Sequence, residues 1–213
     1  MARAPVPGQC KTRLAATLGE VAAARLYEAM LADSMESYTR VGATRNVVIA
    51  APEFEGVRVL SELAPRGWEV IPQEGRGLGE RLANAFRALK VNGSPVLVMG
   101  SDSPTLPIEP VSAAVQRFNG LGRVLLGPTD DGGYYLIGLS SLDLSLFRDI
   151  PWSTPRVLET TLARCAARSL STELLPSWYD VDERKDLERL AWELSRLPAR
   201  APCCASILRE LSL

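Results

Sequence analysis

Val96-Leu97-Val98-Met99 runs into Gly100-Ser101-Asp102-Ser103-Pro104, so four apolar residues lead to one acid, and a proline then forbids further strand. The run predicts a central strand buried on both faces, with Asp102 at its carboxyl end. In open α/β sheets, ligands bind at that end. A carboxylate there needs a positive partner, and a hard divalent cation carrying a phosphate supplies one. Asp, Ser and Pro are also turn formers, so an exposed turn accounts for the same residues. Tyr179-Asp180-Val181-Asp182-Glu183 places further acids ahead of a charged helix. Asp182 there is either the helix cap or, with Asp180 and Asp102, part of an all-oxygen ligand set suited to Mg²⁺ or Mn²⁺.

Arg3-Ala4-Pro5-Val6-Pro7-Gly8-Gln9-Cys10-Lys11-Thr12-Arg13-Leu14 is a glycine-containing loop with two cations where a helix begins. Cations at a helix start oppose its dipole, so an anionic ligand is the better account than a solvated basic turn. The Walker A spacing is absent. Gln73 to Arg81 holds three glycines in five residues, Gly75, Gly77 and Gly79, which lets backbone approach a ligand or simply makes a flexible connection. In Gly127-Pro128-Thr129-Asp130-Asp131-Gly132-Gly133-Tyr134-Tyr135, a tight turn explains Asp131-Gly132. It does not require the second acid, the second glycine or the two tyrosines. Trp152, within Ile150-Pro151-Trp152-Ser153-Thr154-Pro155, is either packing or a platform for a sugar.

The 213 residues contain no histidine, which removes the commonest general base, every Ser-His or Cys-His nucleophile and His-ligated zinc. Cys10, Cys165, Cys203 and Cys204 have no zinc-site spacing and read as reduced thiols. Lys plus Arg is 24 against 25 Asp plus Glu, with no long run of one sign, which argues against nucleic acid or a membrane surface as partner. No segment has the length of a membrane span and no signal peptide is visible, so a cytoplasmic location is expected.

The elements that must position these residues follow from periodicity. Helices are expected over Thr12–Tyr38 with a break at Gly19, then Arg58–Leu63, Leu78–Leu89, Pro110–Phe118, Pro155–Ala167, Glu183–Leu194 and a short one after Pro198. Strands are expected over Asn46–Ala51 (ended by Pro52), Trp68–Ile71, Val96–Met99, Val124–Leu126, Tyr134–Leu139 and Glu173–Leu175. The alternation predicts a three-layer α/β/α fold in one domain, with a mixed, mostly parallel sheet. Tyr134–Leu139 follows a loop instead of a helix and is the candidate antiparallel strand.

The stretches APVPG..KTRL, LGER, MGSDSPTLP, GPTDDGGYYLIGL, IPWSTP.VLE.T and DVDERKDL resemble a bacterial GT-A-like family, the radical-SAM/selenodomain-associated transferases. Some of its members are labelled glycosyltransferases of arsenosugar biosynthesis. The sequence is similar also to nucleotidyltransferases such as 2-phospho-L-lactate guanylyltransferase and the molybdenum-cofactor enzymes. The resemblance runs to about Leu190 and implies a nucleotide-diphospho-sugar transferase fold. It implies nucleotide-binding roles for Pro7, Gly8, Lys11, Arg13, Gly77, Gly79, Arg81 and Ser101, and acceptor-binding roles for Gly132, Gly133, Tyr134 and Trp152. Asp102 stands in place of the metal-binding acid, but Ser101-Asp102-Ser103 has one carboxylate where a DxD motif has two. The missing ligand is sought among Asp131, Asp180 and Asp182. The family has an apolar strand before its basic loop, so a start site placed too late is suspected here.

The function expected is transfer of a sugar from a nucleotide-diphospho-sugar to a small acceptor, with Mg²⁺ or Mn²⁺ on Asp102 and Asp131 as the base. The alternative is nucleotidyl transfer from an NTP to a phosphorylated small molecule with release of pyrophosphate. A third reading is a nucleotide-binding protein without catalysis.

Overall fold

The computed structural model describes residues 1–43, 46–51, 53–89, 94–118 and 120–213. Its elements in chain order are α1 (Thr12–Leu18), α2 (Glu20–Thr39), β1 (Val47–Ala50), α3 (Gly56–Leu63), β2 (Glu69–Pro72), α4 (Leu78–Ala88), β3 (Val96–Met99), α5 (Ile108–Arg117), β4 (Arg123–Pro128), β5 (Tyr134–Leu139), α6 (Val157–Ala167), β6 (Ser171–Leu174), α7 (Arg184–Arg196) and α8 (Pro202–Glu210). Each expected helix and strand is present to within a few residues, and Gly19 separates α1 from α2 as its position suggested. Pro52, expected to end the first strand, lies outside the described residues. The chain divides into two compact units, residues 1–72, 101–108 and 180–213, and residues 73–100 and 109–179.

In the first unit β1 and β2 pair in parallel, Val47 with Glu69 through Ala50 with Pro72. Ala2 adds a single parallel bridge to Ala50. The buried face of α2, with Leu26, Tyr27, Met30 and Leu31 almost wholly covered, follows the helical period read from the sequence. Asp33 on α2 is buried among these residues. Its carboxylate accepts the backbone N–H groups of Cys203 and Cys204 at 3.0 and 2.8 Å. It thereby caps α8, whose own N-cap, Ala201, has no side-chain oxygen to offer. Cys204 is buried there and Cys203 exposed, and all four cysteines are free.

The second unit holds a four-stranded sheet in the order β3-β5-β4-β6. β5 is antiparallel to both β3 and β4, while β4 and β6 are parallel. The α/β class and mixed sheet hold. The parallel share is smaller than the strand–helix alternation suggests, because β5 returns directly through the 129–133 loop without a crossover helix. The doubly buried strands are β4 and β5, whose inner residues are all covered. β3 is half-buried and ends the ladder of its unit, since an apolar run of four does not by itself separate an inner strand from an outer one. Phe86 of α4 stacks on Phe147 at 5.5 Å between ring centres.

Candidate active site

Lys11 sits on the residue before α1, and its ammonium lies 2.5 Å from Asp102 Oδ1 and 2.6 Å from Asp182 Oδ1. The lysine side chain is 5% exposed, the two carboxylates 40% and 47%. A buried cation thus faces two acids whose outer sides meet solvent. Two local features build this contact. Val181 N–H donates to the Asp102 carbonyl at 2.8 Å, tying the two acid-bearing segments together. Glu183, not Asp182, is the N-cap of α7, in a capping box with Asp186. The capping role open to Asp182 is therefore filled by its neighbours, and its carboxylate turns to Lys11. Asp180 is held differently: Ser103 Oγ donates to it at 2.6 Å.

Burial would lower the pKa of Lys11, but Asp102 and then Asp182 more than reverse this, so its ammonium is held charged well above the ordinary lysine range. Its backbone is left-handed, φ 44° and ψ 45°, a conformation that residues with a Cβ seldom adopt.

Tyr27, which the sequence reading passed over, lies beneath this group. Lys11 Nζ is 5.5 Å from its ring centre, its hydroxyl is 3.0 Å from Ser101 Oγ, and it accepts the Arg3 N–H at 3.2 Å. The signal was a polar-tipped aromatic between aliphatic residues on the buried face of the helix. Burial, then the Asp102 charge, pushes the Tyr27 hydroxyl up to about 12. The folded state therefore favours the neutral phenol. Its contribution to stability is complete below about pH 10, where the unfolded tyrosine titrates, and falls away as the pH rises toward the folded value. Tyr27→Phe should lower stability at pH 8 by about 1–2 kcal/mol through the lost hydroxyl contacts, and should flatten the alkaline decline. Urea midpoints measured from pH 8 to 11.5 check this; a decline of unchanged slope overturns the assignment.

The remaining sequence-derived candidates divide between the units. Gly8, with φ +75°, follows Pro7 in a turn closed by Gln9 N–H to Val6 O at 3.0 Å, a type II arrangement. A Cβ at Gly8 would lie 3.1 Å from the Glu20 carboxylate, so the lack of a side chain lets Glu20 approach the loop. Arg13 is exposed and 3.4 Å from Glu183. α1 has seven residues, too short for its dipole to replace those charges.

In the second unit, Gly77 begins α4 with open space beside it. Gly79 is a packing residue, since a Cβ there would meet Phe147 O at 2.6 Å and Trp152 Nε1 at 2.7 Å. Arg81 folds back on its own loop, donating to Gly75 O at 3.2 Å. Asp131 Oδ1 accepts from Thr129 Oγ1 at 2.5 Å and Gly133 N–H at 3.0 Å, so this oxygen shapes the turn. Tyr134 meets Trp152 edge to face at 6.3 Å. Among the described residues no three His, Cys, Asp or Glu side chains are grouped to hold a metal by themselves, and no helix is long and apolar enough to cross a membrane.

The model of the bacterial family described as "Uncharacterized protein conserved in bacteria (DUF2064)" matches residues 34–154. A protein of Desulfovibrio desulfuricans G20, provisionally named a nucleotide-diphospho-sugar transferase, superposes with a TM-score of 0.88 at 31% identity, over 98% of this chain and 91% of that one. Rv0371c of Mycobacterium tuberculosis H37Rv gives 0.53 at 16% identity, over 76% of this chain and 82% of that one. CMP:2-keto-3-deoxy-manno-octonic acid synthetase, complexed with CTP, gives 0.52 at 13%, over 79% of this chain and 88% of that one. These last two share the fold alone. No curated protein matches the sequence. The fold is that of the nucleotide-diphospho-sugar transferases.

Proposed function

This chain belongs to the DUF2064 family, and we propose that it is a glycosyltransferase taking a nucleotide-diphospho-sugar donor and a small acceptor. The observation that carries the reading is the buried Lys11 ammonium set against two half-exposed carboxylates, Asp102 and Asp182. That arrangement offers one positive group to a phosphate and two oxygens to a cation. A divalent cation fits this donor set, because Mg²⁺ is commonly held by one or two carboxylates, with substrate phosphates and water completing its shell. Asp102 and Asp182 would hold it, and Asp180, bound by Ser103, is the third candidate. When bound it supplies charge that stabilises the departing nucleoside diphosphate.

Lys11 and Arg13 bind and orient the diphosphate. Ser101, fixed by Tyr27, presents its segment to the nucleotide. In the second unit Gly77 and Arg81 are assigned to the nucleotide, Gly79 being kept for packing, and Gly132, Gly133, Tyr134 and Trp152 to the acceptor. Asp131 receives the acceptor's proton through the carboxylate oxygen that does not shape the turn. The arsenosugar-type, radical-SAM-associated role and a cytoplasmic location belong to this proposal.

Nucleotidyl transfer is the second reading, favoured by the fold shared with a CTP-bound synthetase, since one phosphate site serves both reactions. ³¹P NMR of the protein with Mg²⁺ separates them. Nucleoside diphosphate released from pooled nucleotide-sugars supports the glycosyltransferase. Pyrophosphate from pooled NTPs and sugar phosphates replaces it with the nucleotidyltransferase. Nucleotide binding without turnover in either pool overturns both.

A further inference from the structure

Building on the reading of this site as one for phosphate and a divalent cation, we infer that Lys11 is a built-in stand-in for the metal: its ammonium closes the Asp102–Asp182 pair in the free protein and must leave before a divalent cation can enter. Both carboxylates turn the same oxygen, Oδ1, onto one nitrogen at 2.5 and 2.6 Å. A divalent cation that took both of these oxygens would compete for them with the ammonium, and two positive charges on one pair of oxygens repel.

Held between two carboxylate oxygens, the Lys11 ammonium leaves them only for another anion. The chemistry of a diphosphate provides this, since a phosphate oxygen takes over the ammonium while the freed carboxylates take the cation. Lys11 precedes the first turn of α1 with a left-handed backbone, and its side chain is held by the two carboxylates. Metal and diphosphate therefore load together, and metal alone binds poorly. The coupling has the reciprocal form of any two-ligand linkage: whatever the diphosphate does for the cation, the cation does for the diphosphate.

The test needs no donor. Mn²⁺ alone is titrated, with the free ion followed by electron paramagnetic resonance, into the unaltered protein, Lys11→Met, Lys11→Arg and the double variant Lys11→Met/Asp182→Asn. Lys11→Met should bind Mn²⁺ about tenfold or more tightly than the unaltered protein. Lys11→Arg, which keeps the charge, should stay weak, and the double variant should lose the gain. Thermal melts on the same samples should show Mn²⁺ raising the melting temperature of Lys11→Met alone. If Lys11→Met is unfolded without metal, Mn²⁺ should restore its melting transition. Affinity unchanged by Lys11→Met, or an unfolded variant that Mn²⁺ does not restore, overturns the inference. Neither readout involves turnover, so a failed search for a donor by ³¹P NMR would leave this result standing, and the reverse holds equally.

Discussion

Asp102→Ala should lower metal-dependent turnover by about 10³-fold while changing the melting temperature by only a few degrees. The two halves of this expectation rest on different atoms. On the proposed reading turnover depends on the carboxylate, which is 40% exposed and shares Lys11 with Asp182. The fold depends on the Asp102 carbonyl, which accepts the Val181 N–H and survives the substitution. Lys11 keeps Asp182 as a partner, so its buried charge is not left uncompensated, the situation that makes loss of one member of a buried pair severe. Asp182→Asn should act in the same direction. Asp180→Asn should cost less activity, because the structure commits Asp180 to Ser103 instead of Lys11. The check is initial rates at saturating Mg²⁺ with the donor identified by ³¹P NMR, alongside thermal melts. Full activity in Asp102→Ala removes Asp102 from the chemistry, and with it the reading of the site.

The ranking among these acids shows where sequence stops. The helices and strands could be read along the chain because each depends on residues within a few positions of one another. The Lys11–Asp182 contact joins residues 171 apart, and no spacing rule reaches that far. The segment around Asp182 also offered a local explanation, helix capping, that was chemically sound. Only the structure shows that Glu183 and Asp186 perform it and leave Asp182 to Lys11. Gly79 misled in the opposite sense. In sequence it belonged to a flexible, ligand-approaching loop, whereas its lack of a side chain is needed by Phe147 and Trp152. Such close approach leaves no trace in composition, because the partners lie about seventy residues away. Tyr27 was hidden by the very regularity that identified its helix. The family match, over residues 34–154, contains Asp102 but neither Lys11 nor Asp182, so two of the three groups at the centre of the site lie outside it.

Gly132→Ala should destabilise the protein by about 3 kcal/mol, where Gly67→Ala, its matched control, should cost about 1. Both glycines have nearly the same left-handed backbone, φ +87° and φ +88°. The conformational penalty for an added Cβ is therefore common to the pair. At Gly67 nothing lies within 4 Å of that Cβ, but at Gly132 it would meet the Pro155 carbonyl oxygen at 2.2 Å. Backbone cannot give way there cheaply, because the Gly132 carbonyl itself accepts the Leu158 N–H at 2.9 Å. The 129–133 loop is thereby clamped to the start of α6. The same clamp aims the neighbouring groups, since Gly133 N–H binds Asp131 and Tyr134 opens β5 directly after it. A strained Gly132→Ala should thus lose activity beyond what its unfolded fraction explains, whereas Gly67→Ala should not. Urea denaturation gives the first difference, and rates measured well below the melting transition give the second. Equal destabilisation of the two variants would mean that the Pro155 contact yields without cost. Equal activity would mean that the loop's geometry does not matter to the reaction.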